Sequence, residues 1–514
     1  MWSEWSQLFT QDASFLEGKE PFVLDVGVAE PLGQFLPQNR LFVRKCYSDL
    51  FSFVWDMFKK DCRETVTLTG TPGIGKSVFG LLFLIELVRF LEASVASPAK
   101  IVDFGLGLNG EIVYEHAKGV ESNSTFYLID TNKKTISRSH DAPLTWLSNP
   151  HTFLIKDGPC KDYDVDCSIL WLSSPRAGSF QKAGDNAKGS FILPPWETDE
   201  LVECWRQGCA PKELFIINNQ KSNKAALEAA AEALSALDEG ADENAKHEAT
   251  LRRWIADLGP VARRVFNPAK AYGKLADAEK DLGDKDLDSL SEFVQGKDTG
   301  GGSSKFQQSH RLLLMLPGED FTTYEFIPSS VKIGRKILRK ALETDLSRAR
   351  KLMGTMTGCN LGLVFEPYAH FILSQGEEFT IRNLDNNTTE QFKTTKSETF
   401  NVSNAQLYAG DFTLKPNTYY APTDPTFAVI DSWTDKVMFQ MYAGNQSKHA
   451  MKSGSKQFMA LKGKGPDRII FVMPKGRADN FAKQPLVDTK GKKPVGENGP
   501  RGGWNDVKQY VLAL

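Results

Sequence analysis

Apolar residues occur along the chain in short runs that are typical of alternating strands and helices. A β-rich run at residues 65–69 precedes a glycine-rich turn, and an apolar stretch of helical length follows at residues 77–91. This order of strand, loop and helix predicts the first unit of an α/β domain. Three further runs have the length and composition of strands, at residues 126–129, 152–155 and 168–172.

The pattern changes in the second half of the chain. Residues 225–237 and 245–255 have helical character and could form a lid or an exposed helical hairpin. Residues 285–304 are charged and end in Gly-Gly-Gly-Ser-Ser, so we place a domain boundary there. A basic helical region is expected at residues 331–353. Strands are then predicted at 379–384, 428–432, 437–442 and 468–473.

Composition narrows the class of protein. A chain of 514 residues with 41% hydrophobic and 25% charged residues is ordinary globular protein of about three domains. No run of about 20 apolar residues occurs, so no transmembrane helix is expected. The first residues lack a basic segment followed by an apolar core, and we therefore expect no ordinary secretory signal. Seven irregularly spaced cysteines without a CxxC motif favour a reducing compartment and argue against a zinc site.

Charge is unevenly divided along the chain. Residues 301–514 hold 29 lysines and arginines against 20 aspartates and glutamates, an excess of nine positive charges. Residues 1–300 hold the remaining 33 basic and 44 acidic residues, an excess of eleven negative charges. Any contact with nucleic acid is therefore expected in the rear part, although a chance excess of surface lysines would give the same numbers.

The glycine-rich turn fits the phosphate-binding motif GxxxxGK[ST] without a gap. Its glycines let several backbone N–H groups face the β-phosphate. Lys76 supplies a cation for the β- and γ-phosphates, and Ser77 offers a hydroxyl to Mg²⁺ at the positive end of a helix. The predicted ATP-binding residues are Gly70, Thr71, Pro72, Gly73, Ile74, Gly75, Lys76 and Ser77.

A P-loop NTPase also needs an acid at a strand end to hold the magnesium ion. Asp130 and Asp157 each end a predicted strand. We favour Asp157, because another apolar strand with a polar end follows it, as in a sheet whose next strand senses the γ-phosphate. Neither acid is followed by glutamate, the usual activator of water, so hydrolysis is slow or the activating group comes from elsewhere.

The front part resembles the NTPase module of Crinkler effectors, which trypanosome retrotransposon hot spot proteins share. This resemblance implies an ATPase of the AAA+/STAND type. The segment 258–266 is similar to the family's glycine-proline-arginine segment after the helical lid, which implies that Arg263 senses nucleotide. Ala262 stands where the family has proline, and an arginine on an exposed helix is the alternative. The resemblance is carried by LFVRKCYSDLF, TGTPGIGKS, HTFLIKDG, SSPR and FILPPWETDEL.

Three positions in the rear part have the order of a restriction-endonuclease-like core. Glu366 is expected on or near a helix, Asp431 at the end of one apolar run and Gln440 in the next. In such cores carboxylates hold Mg²⁺, which polarises phosphate and activates water. A lysine usually follows two residues after the third ligand, and here that position is Tyr442.

The rear part also resembles a family domain, the nuclease-like domain of Crinkler and retrotransposon hot spot proteins. That family commonly has glutamine at the third ligand and a lysine or histidine on the following helix, which implies a catalytic role for Lys448, with His449 as the alternative. The family has a small hydroxyl residue where this chain has Tyr442, and many Crinklers carry a leader that this chain does not show. The resemblance is carried by LVFEPYAHFILSQGEEFTIRNL, TYYAPTDPTFAVIDSW, MFQMYAGNQSKHAM, DRIIFVMP and VKQYVLAL.

Together these observations predict an α/β protein with a P-loop NTPase domain of the AAA+/STAND type and a restriction-endonuclease-like domain. The expected domains are 1–60 as an N-terminal segment, 61–298 as the NTPase with its lid, 305–355 as a helical connection and 356–514 as the nuclease.

The leading hypothesis is an ATP-regulated nuclease, in which the nucleotide state of the front domain gates Mg²⁺-dependent cleavage of DNA by the basic rear domain. It takes Glu366, Asp431, Gln440 and Lys448 as catalytic residues, and Ser77, Asp157 and Asp431 as metal ligands. A nucleotide switch that binds DNA or a host protein without cutting, and a plain ATPase, are the alternatives. No membrane partner is expected, whereas a homo-oligomer and host nuclear proteins are compatible with the resemblance. A delivered effector would act in the host nucleus, and otherwise the protein is intracellular.

Overall fold

A computed structural model describes the chain in segments, which divide into two compact units, Met1–Ile333 (the N-terminal unit) and Gly334–Leu514 (the C-terminal unit). The described residues are 21–25, 40–60, 64–96, 110–117, 124–158, 165–173, 189–211, 214, 224–235, 237, 240–280, 312–344, 358–409, 412–422, 430–443, 451–452, 460–461, 464–484, 486–487 and 507–514.

The N-terminal unit is a mixed α/β structure. Its strands are β1 Phe22–Asp25, β2 Arg40–Val43, β3 Thr65–Thr69, β4 Glu111–Ala117, β5 Ser124–Asp130, β6 Thr135–Ser139, β7 Phe153–Asp157, β8 Ser168–Leu172, β9 Gly189–Ile192, β10 Leu313–Pro317 and β11 Tyr324–Pro328. Its helices are α1 Lys45–Lys60, α2 Lys76–Ala96, α3 Leu144–Leu147, α4 Thr198–Arg206, α5 Lys224–Ser235, α6 Glu243–Leu258, α7 Ala262–Val265 and α8 Pro268–Lys280, while α9 Val331–Thr344 crosses the division.

Seven strands form the central sheet of this unit, in the order β6-β5-β4-β7-β8-β3-β9. The strands β4, β7, β8, β3 and β9 run parallel, and β5 and β6 are antiparallel additions at one edge. The four runs that the sequence predicts as strands all lie in this sheet, which confirms the α/β prediction for the unit. Because parallel strands place their carboxyl ends at one edge, the loops after β3, β7 and β8 meet there.

The helix after the glycine-rich loop is buried in the unit rather than exposed on one side. Leu81 through Ile85 are all at most 2% exposed, and Phe83 packs against Phe51 and Phe153 with ring centroids 5.2 and 5.6 Å apart. This burial accounts for the continuous apolar character of α2, since a helix that is apolar all round is a core helix. Among the described helices, none combines the length and apolar character needed to cross a membrane.

A hairpin of β10 and β11 packs against the phosphate-binding loop. The Met315 N–H donates to Thr71 Oγ1 at 3.0 Å, and the Ile192 N–H donates to the Phe321 carbonyl at 2.7 Å. Residues 312–333 are therefore part of the N-terminal unit, whereas the sequence-based boundary lies before them, at residues 285–304. The sequence-based boundary rests on the glycine run, whose composition is typical of a linker. The hairpin of β10 and β11 comes after that run, and its backbone hydrogen-bonds to the phosphate-binding loop and to β9.

The C-terminal unit is also a mixed α/β structure. Its helices are α10 Gly358–Ser374 and α11 Asn404–Tyr408. Its strands are β12 Glu378–Asn383, β13 Thr389–Lys393, β14 Thr399–Val402, β15 Tyr419–Pro422, β16 Ser432–Trp433, β17 Val437–Met441, β18 Met451–Lys452, β19 Arg468–Met473, β20 Leu486–Val487 and β21 Lys508–Ala513.

Eight of these strands form one sheet in the order β13-β12-β21-β19-β17-β16-β15-β14. The predicted strands at 379–384, 437–442 and 468–473 correspond to β12, β17 and β19. Of the predicted run 428–432, residues 430–432 are described, and Ser432 begins β16. On one face of the sheet, Trp433, Met438 and Phe471 belong to a single buried cluster.

Candidate nucleotide site and Asp431–Gln440 site

The glycine-rich loop connects β3 to α2 with a backbone that side chains other than glycine rarely adopt. Gly70, Gly73 and Gly75 have φ angles of 141°, 90° and 110°. The Phe79 N–H donates to the Gly75 carbonyl at 3.0 Å, so the loop leads directly into the first helical turn. Such a turn directs backbone N–H groups toward one point, which suits a phosphate.

Lys76 is buried beneath this loop. Its Nζ donates to the carbonyls of Gly70 at 2.7 Å and Thr71 at 3.1 Å. Burial, together with the nearby charge of Arg263, lowers the pKa of Lys76 to about 7, although Asp157 acts in the opposite direction. A buried ammonium held only by neutral carbonyls favours an anionic ligand, because the anion would restore its charge.

Asp157 ends β7 and faces the start of α2. Its Oδ1 accepts a hydrogen bond from Ser77 Oγ at 2.9 Å. Its Oδ2 lies 3.2 Å from the Tyr114 hydroxyl, which donates to it, and 3.1 Å from His116 Nδ1. The carboxylate therefore joins the loop serine to strand β4, at the edge of the sheet where the loop lies.

Asp130, the alternative acid, lies elsewhere. It ends β5, which runs antiparallel to β4, and its register partner is Glu111 at the start of β4. Since His116 at the other end of β4 pairs with Asp157, Asp130 is at the opposite edge of the sheet. Hydrogen bonds from Lys133 hold the pKa of Asp130 below its usual range although burial opposes them, so this acid stabilises its own turn.

Arg263 lies on the short helix α7, which follows α6, and approaches the loop from there. Its backbone N–H donates to the Gly73 carbonyl at 3.3 Å, and a Cβ added to Gly73 would lie 2.6 Å from the Arg263 Cβ. Arg263 is exposed, as the alternative interpretation expects, but it lies against the phosphate-binding loop. The neighbouring Arg264 instead turns inward and donates to the Leu258 carbonyl at 3.1 Å.

Sequence reasoning did not identify the residues that hold the loop in shape. Buried Arg44 donates to the carbonyls of Ile74, Pro194 and Pro195 at 3.2, 2.9 and 2.8 Å. Trp196 Nε1 donates to the same Ile74 carbonyl at 2.9 Å, and its ring lies 4.5 Å from the Arg44 guanidinium. The segment LFVRKCYSDLF, noted only for its resemblance, contained this signal.

A cavity of about 560 Å³ opens beside these groups. Its wall includes Lys76, Ser77, His116, Asp157 and Arg263. The volume lies within the usual range for small-molecule sites. A site for a magnesium–nucleoside triphosphate needs a cation, a glycine-rich turn and a hydroxyl beside an acid. The cavity wall has a buried lysine, such a turn and a serine that hydrogen-bonds to an aspartate. These residues therefore fit ATP and Mg²⁺.

The C-terminal unit brings Asp431 and Gln440 side by side. Gln440 Nε2 donates to Asp431 Oδ2 at 2.8 Å, and the Met441 N–H donates to the same oxygen at 2.6 Å. Burial, together with the negative charge of Glu366, raises the pKa of Asp431 to about 7, although the hydrogen bond from the Met441 N–H acts in the opposite direction. In this arrangement the Gln440 amide donates a hydrogen bond to the Asp431 carboxylate.

Glu366 lies on α10, as predicted, at the end of a chain of polar groups. Glu366 Oε1 is 3.7 Å from His370 Nε2, and His370 Nδ1 is 2.9 Å from the Tyr419 hydroxyl. The buried Tyr419 hydroxyl donates to Ser432 Oγ at 2.6 Å. This chain connects α10 with the strand that follows Asp431, and nothing in the sequence pattern marked His370 or Tyr419.

Of two other predicted features of this site, the structure describes one, at Tyr442, and does not describe the other, at Lys448 and His449. Tyr442 packs its ring against Phe481, with centroids 5.8 Å apart, so the position that usually carries a lysine is partly buried against the core. Lys448 and His449 lie outside the described residues. Within the residues that are described, no three His, Cys, Asp or Glu side chains lie close enough to share a metal ion.

Comparison with known proteins relates nearly the whole chain to Crinkler effector proteins. Crinkler effector proteins 16 and 15 of Phytophthora infestans are each 21% identical to it over 504 residues, which covers 92% of this chain and 71% of each relative. No protein-family model matches the chain.

Solved structures give a weaker likeness. The Holliday junction branch migration motor RuvB of Thermotoga maritima has a TM-score of 0.21 and 14% identity, over 71% of this chain and 93% of that chain. A variant of the same motor has a TM-score of 0.22 with the same identity and coverage.

Proposed function

We propose that the chain is a Crinkler-like effector whose N-terminal unit binds and hydrolyses ATP with Mg²⁺. The observation that carries this proposal is the hydrogen bond of 2.9 Å between Ser77 Oγ and Asp157 Oδ1, next to buried Lys76. It joins the loop serine and the strand-end acid, two residues that lie 80 positions apart in the sequence.

Each residue has a separate task in this proposal. The N–H groups of the loop and the Lys76 ammonium bind the phosphates, and Arg263 reaches the nucleotide from the lid. Ser77 and Asp157 would hold Mg²⁺, which neutralises charge that develops on the phosphates. Arg44 and Trp196 keep the loop carbonyl of Ile74 turned inward, so that the N–H groups are already oriented before the nucleotide arrives.

The test is calorimetric titration of the full chain with ATP and Mg²⁺. We expect Lys76→Ala to weaken ATP binding at least about tenfold, or about 1.4 kcal/mol, and to eliminate hydrolysis. Lys59→Ala on α1 is the matched control, because Lys59 is an exposed lysine whose ion pair with Asp56 lies on its own helix. Equal ATP affinity in wild type and Lys76→Ala would refute the nucleotide site.

For the C-terminal unit we propose slow, metal-dependent DNA cleavage that gains its affinity from the basic excess of residues 301–514. The favouring observation is the direct pairing of Asp431 with Gln440, near enough to Glu366 for its charge to act on Asp431. Gln440 adds an oxygen ligand but no charge, so millimolar metal is needed. A unit that binds DNA or a host protein without cutting is the alternative, and the relatives' description as effectors leads us to propose the host nucleus as its place of action.

A further inference from the structure

Hydrolysis at the proposed nucleotide site needs a group that orients water, and the usual group is absent. Glycine, not glutamate, follows the strand-end acid, since Gly158 comes directly after Asp157. Enzymes that transfer a phosphoryl group to water gain much of their rate from a side chain that positions that water. The missing group must therefore come from another element of the cavity.

The chemistry of the cavity wall leaves few candidates. Arg40, Lys76 and Arg263 only donate hydrogen bonds when charged, so none can accept one from water. Cys204 and Cys209 are free thiols that share a hydrogen bond, and this hydrogen bond together with burial raises the pKa of Cys204 well above its usual value.

Ser77 and Asp157 would hold Mg²⁺ in the proposed site, and the Trp196 N–H only donates, to the Ile74 carbonyl. Two polar side chains of the described wall then remain. They are His116 and Asn267, which lies two residues after the end of α7. His116 is the one in contact with the acid, and β4 and β7 pair it directly with Asp157 in their parallel register.

The contact with Asp157 fixes which ring nitrogen of His116 can accept a hydrogen bond. His116 Nδ1 lies 3.1 Å from Asp157 Oδ2, and a carboxylate can only accept, so Nδ1 carries the hydrogen. In the neutral ring the lone pair is then on Nε2. The Tyr114 hydroxyl donates to the same carboxylate oxygen and so helps to hold Asp157 in this position.

We propose that His116 is the water-positioning residue of this ATPase, a role that rests on the proposed nucleotide site. Nε2 accepts a hydrogen bond from the attacking water and aligns it with the γ-phosphorus. The water oxygen forms a bond to that phosphorus, the bond from phosphorus to the β–γ bridging oxygen breaks, and ADP leaves with the electron pair. One water proton stays on the attacking oxygen and the other passes to a phosphoryl oxygen, so the products are ADP and dihydrogen phosphate.

The test separates binding of the ground state from binding of a transition-state analogue. ADP with aluminium fluoride mimics the planar phosphoryl group together with its water, whereas ADP alone needs no water. We expect His116→Ala to keep ADP affinity within about twofold and to lose stable trapping of ADP–aluminium fluoride, with a fall in kcat of roughly 100-fold. His116→Gln, which can still accept from water, should recover part of both, and Asn267→Ala should behave as wild type.

Each other result has a distinct meaning. If His116→Ala traps ADP–aluminium fluoride and hydrolyses ATP as the wild type does, His116 is not the positioning residue, although the nucleotide site stands. If the wild type binds ATP but neither traps ADP–aluminium fluoride nor hydrolyses ATP, the proposed role of His116 is wrong, whereas the proposed nucleotide site stands. A wild type that binds no ATP removes both proposals. Unchanged ADP affinity in His116→Ala also shows that the variant is folded.

Discussion

The two candidate sites each place an aspartate beside a strand, Asp157 as the last residue of β7 and Asp431 directly before β16, but they surround it differently. Asp157 accepts hydrogen bonds from the Ser77 and Tyr114 hydroxyls and contacts His116, in a cavity that also contains the Lys76 ammonium. Asp431 accepts from the Gln440 amide and a backbone N–H, and burial raises its pKa to about 7. Within the described residues, Asp431 forms no ion pair.

The difference shows what each site lacks before a ligand binds. The N-terminal site has a buried cation whose partners are neutral carbonyls, so it favours an anion. The C-terminal site has a buried carboxyl group whose second neighbour, Gln440, is neutral, so it has little charge to offer a divalent cation. The proposed phosphate chemistry at the first site can therefore use groups that are already oriented, whereas the metal binding proposed for the second site requires Asp431 to be deprotonated and the Gln440 amide to turn.

The largest expected effect concerns the acid of the first site. We expect Asp157→Asn to bind ATP but to hydrolyse it at least about 100-fold more slowly, because the amide no longer holds a metal against the developing charge. Asp130→Asn is the matched control, and its rate should stay within about twofold of the wild type. A phosphate-release assay measures both, and the reverse pattern would show that the wrong strand was chosen.

The N-terminal site was largely predictable because its signals are local. The loop motif, the strand before it and the helix after it are adjacent in sequence, so residues 70–77 could be assigned together. Asp157 required only the expectation that an apolar strand ends at an acid. The sequence does not show the order of the strands in the sheet. That order places β4 beside β7, and it places Asp130 at the end of β4 opposite to Asp157.

The residues that were missed lie on elements whose pattern is weak or distant. Strand β4 was not predicted, because its core is only three apolar residues, Ile112 to Tyr114, before Glu115 and His116. Missing the strand meant missing its histidine. Arg44 acts on carbonyls 30 and about 150 positions away, a relation that no local pattern can show.

The second prediction tests whether the C-terminal site cuts at all. We expect the full chain to nick plasmid DNA slowly with Mg²⁺ or Mn²⁺, and Asp431→Ala to lower the rate at least about tenfold, to background, because the charged ligand is lost. DNA binding should persist in the variant and weaken steeply with salt, since it comes from contacts with phosphate. Glu390→Ala, which removes an exposed carboxylate elsewhere in the sheet, is the control.

The possible outcomes of this assay separate the hypotheses. Cutting by Asp431→Ala at the wild-type rate would assign the activity to a contaminant or to another site. Binding by both proteins without cutting would favour the nucleotide switch that only binds DNA. An absence of binding at low salt would remove DNA as the ligand.

A third prediction concerns the contact between the phosphate-binding loop and the lid. Gly73→Ala places a methyl group 2.6 Å from the Arg263 Cβ at a residue whose φ is 90°. Strain of this kind costs about 1–3 kcal/mol. We therefore expect ATP affinity to fall by up to about tenfold. The control is Gly273→Ala on α8, where nothing lies within 4 Å of an added Cβ, so it should raise the melting temperature slightly. Equal ATP affinity in Gly73→Ala and wild type would show that Arg263 does not restrain the loop.

The smallest expected effect is the uptake or release of protons when a ligand binds. The two sites should exchange protons with the solvent in opposite directions. Burial brings the pKa of both Lys76 and Asp431 to about 7, which leaves Lys76 mostly neutral above that pH and Asp431 mostly protonated below it. A bound phosphate favours charged Lys76, so ATP binding at pH 8 should take up protons. A bound cation favours charged Asp431, so Mn²⁺ binding at pH 6 should release protons. Binding enthalpies in buffers of different ionisation enthalpy measure both, and Lys76→Ala and Asp431→Asn should each remove one exchange and leave the other. Uptake of protons at both sites would show that Asp431 is not protonated before the cation binds.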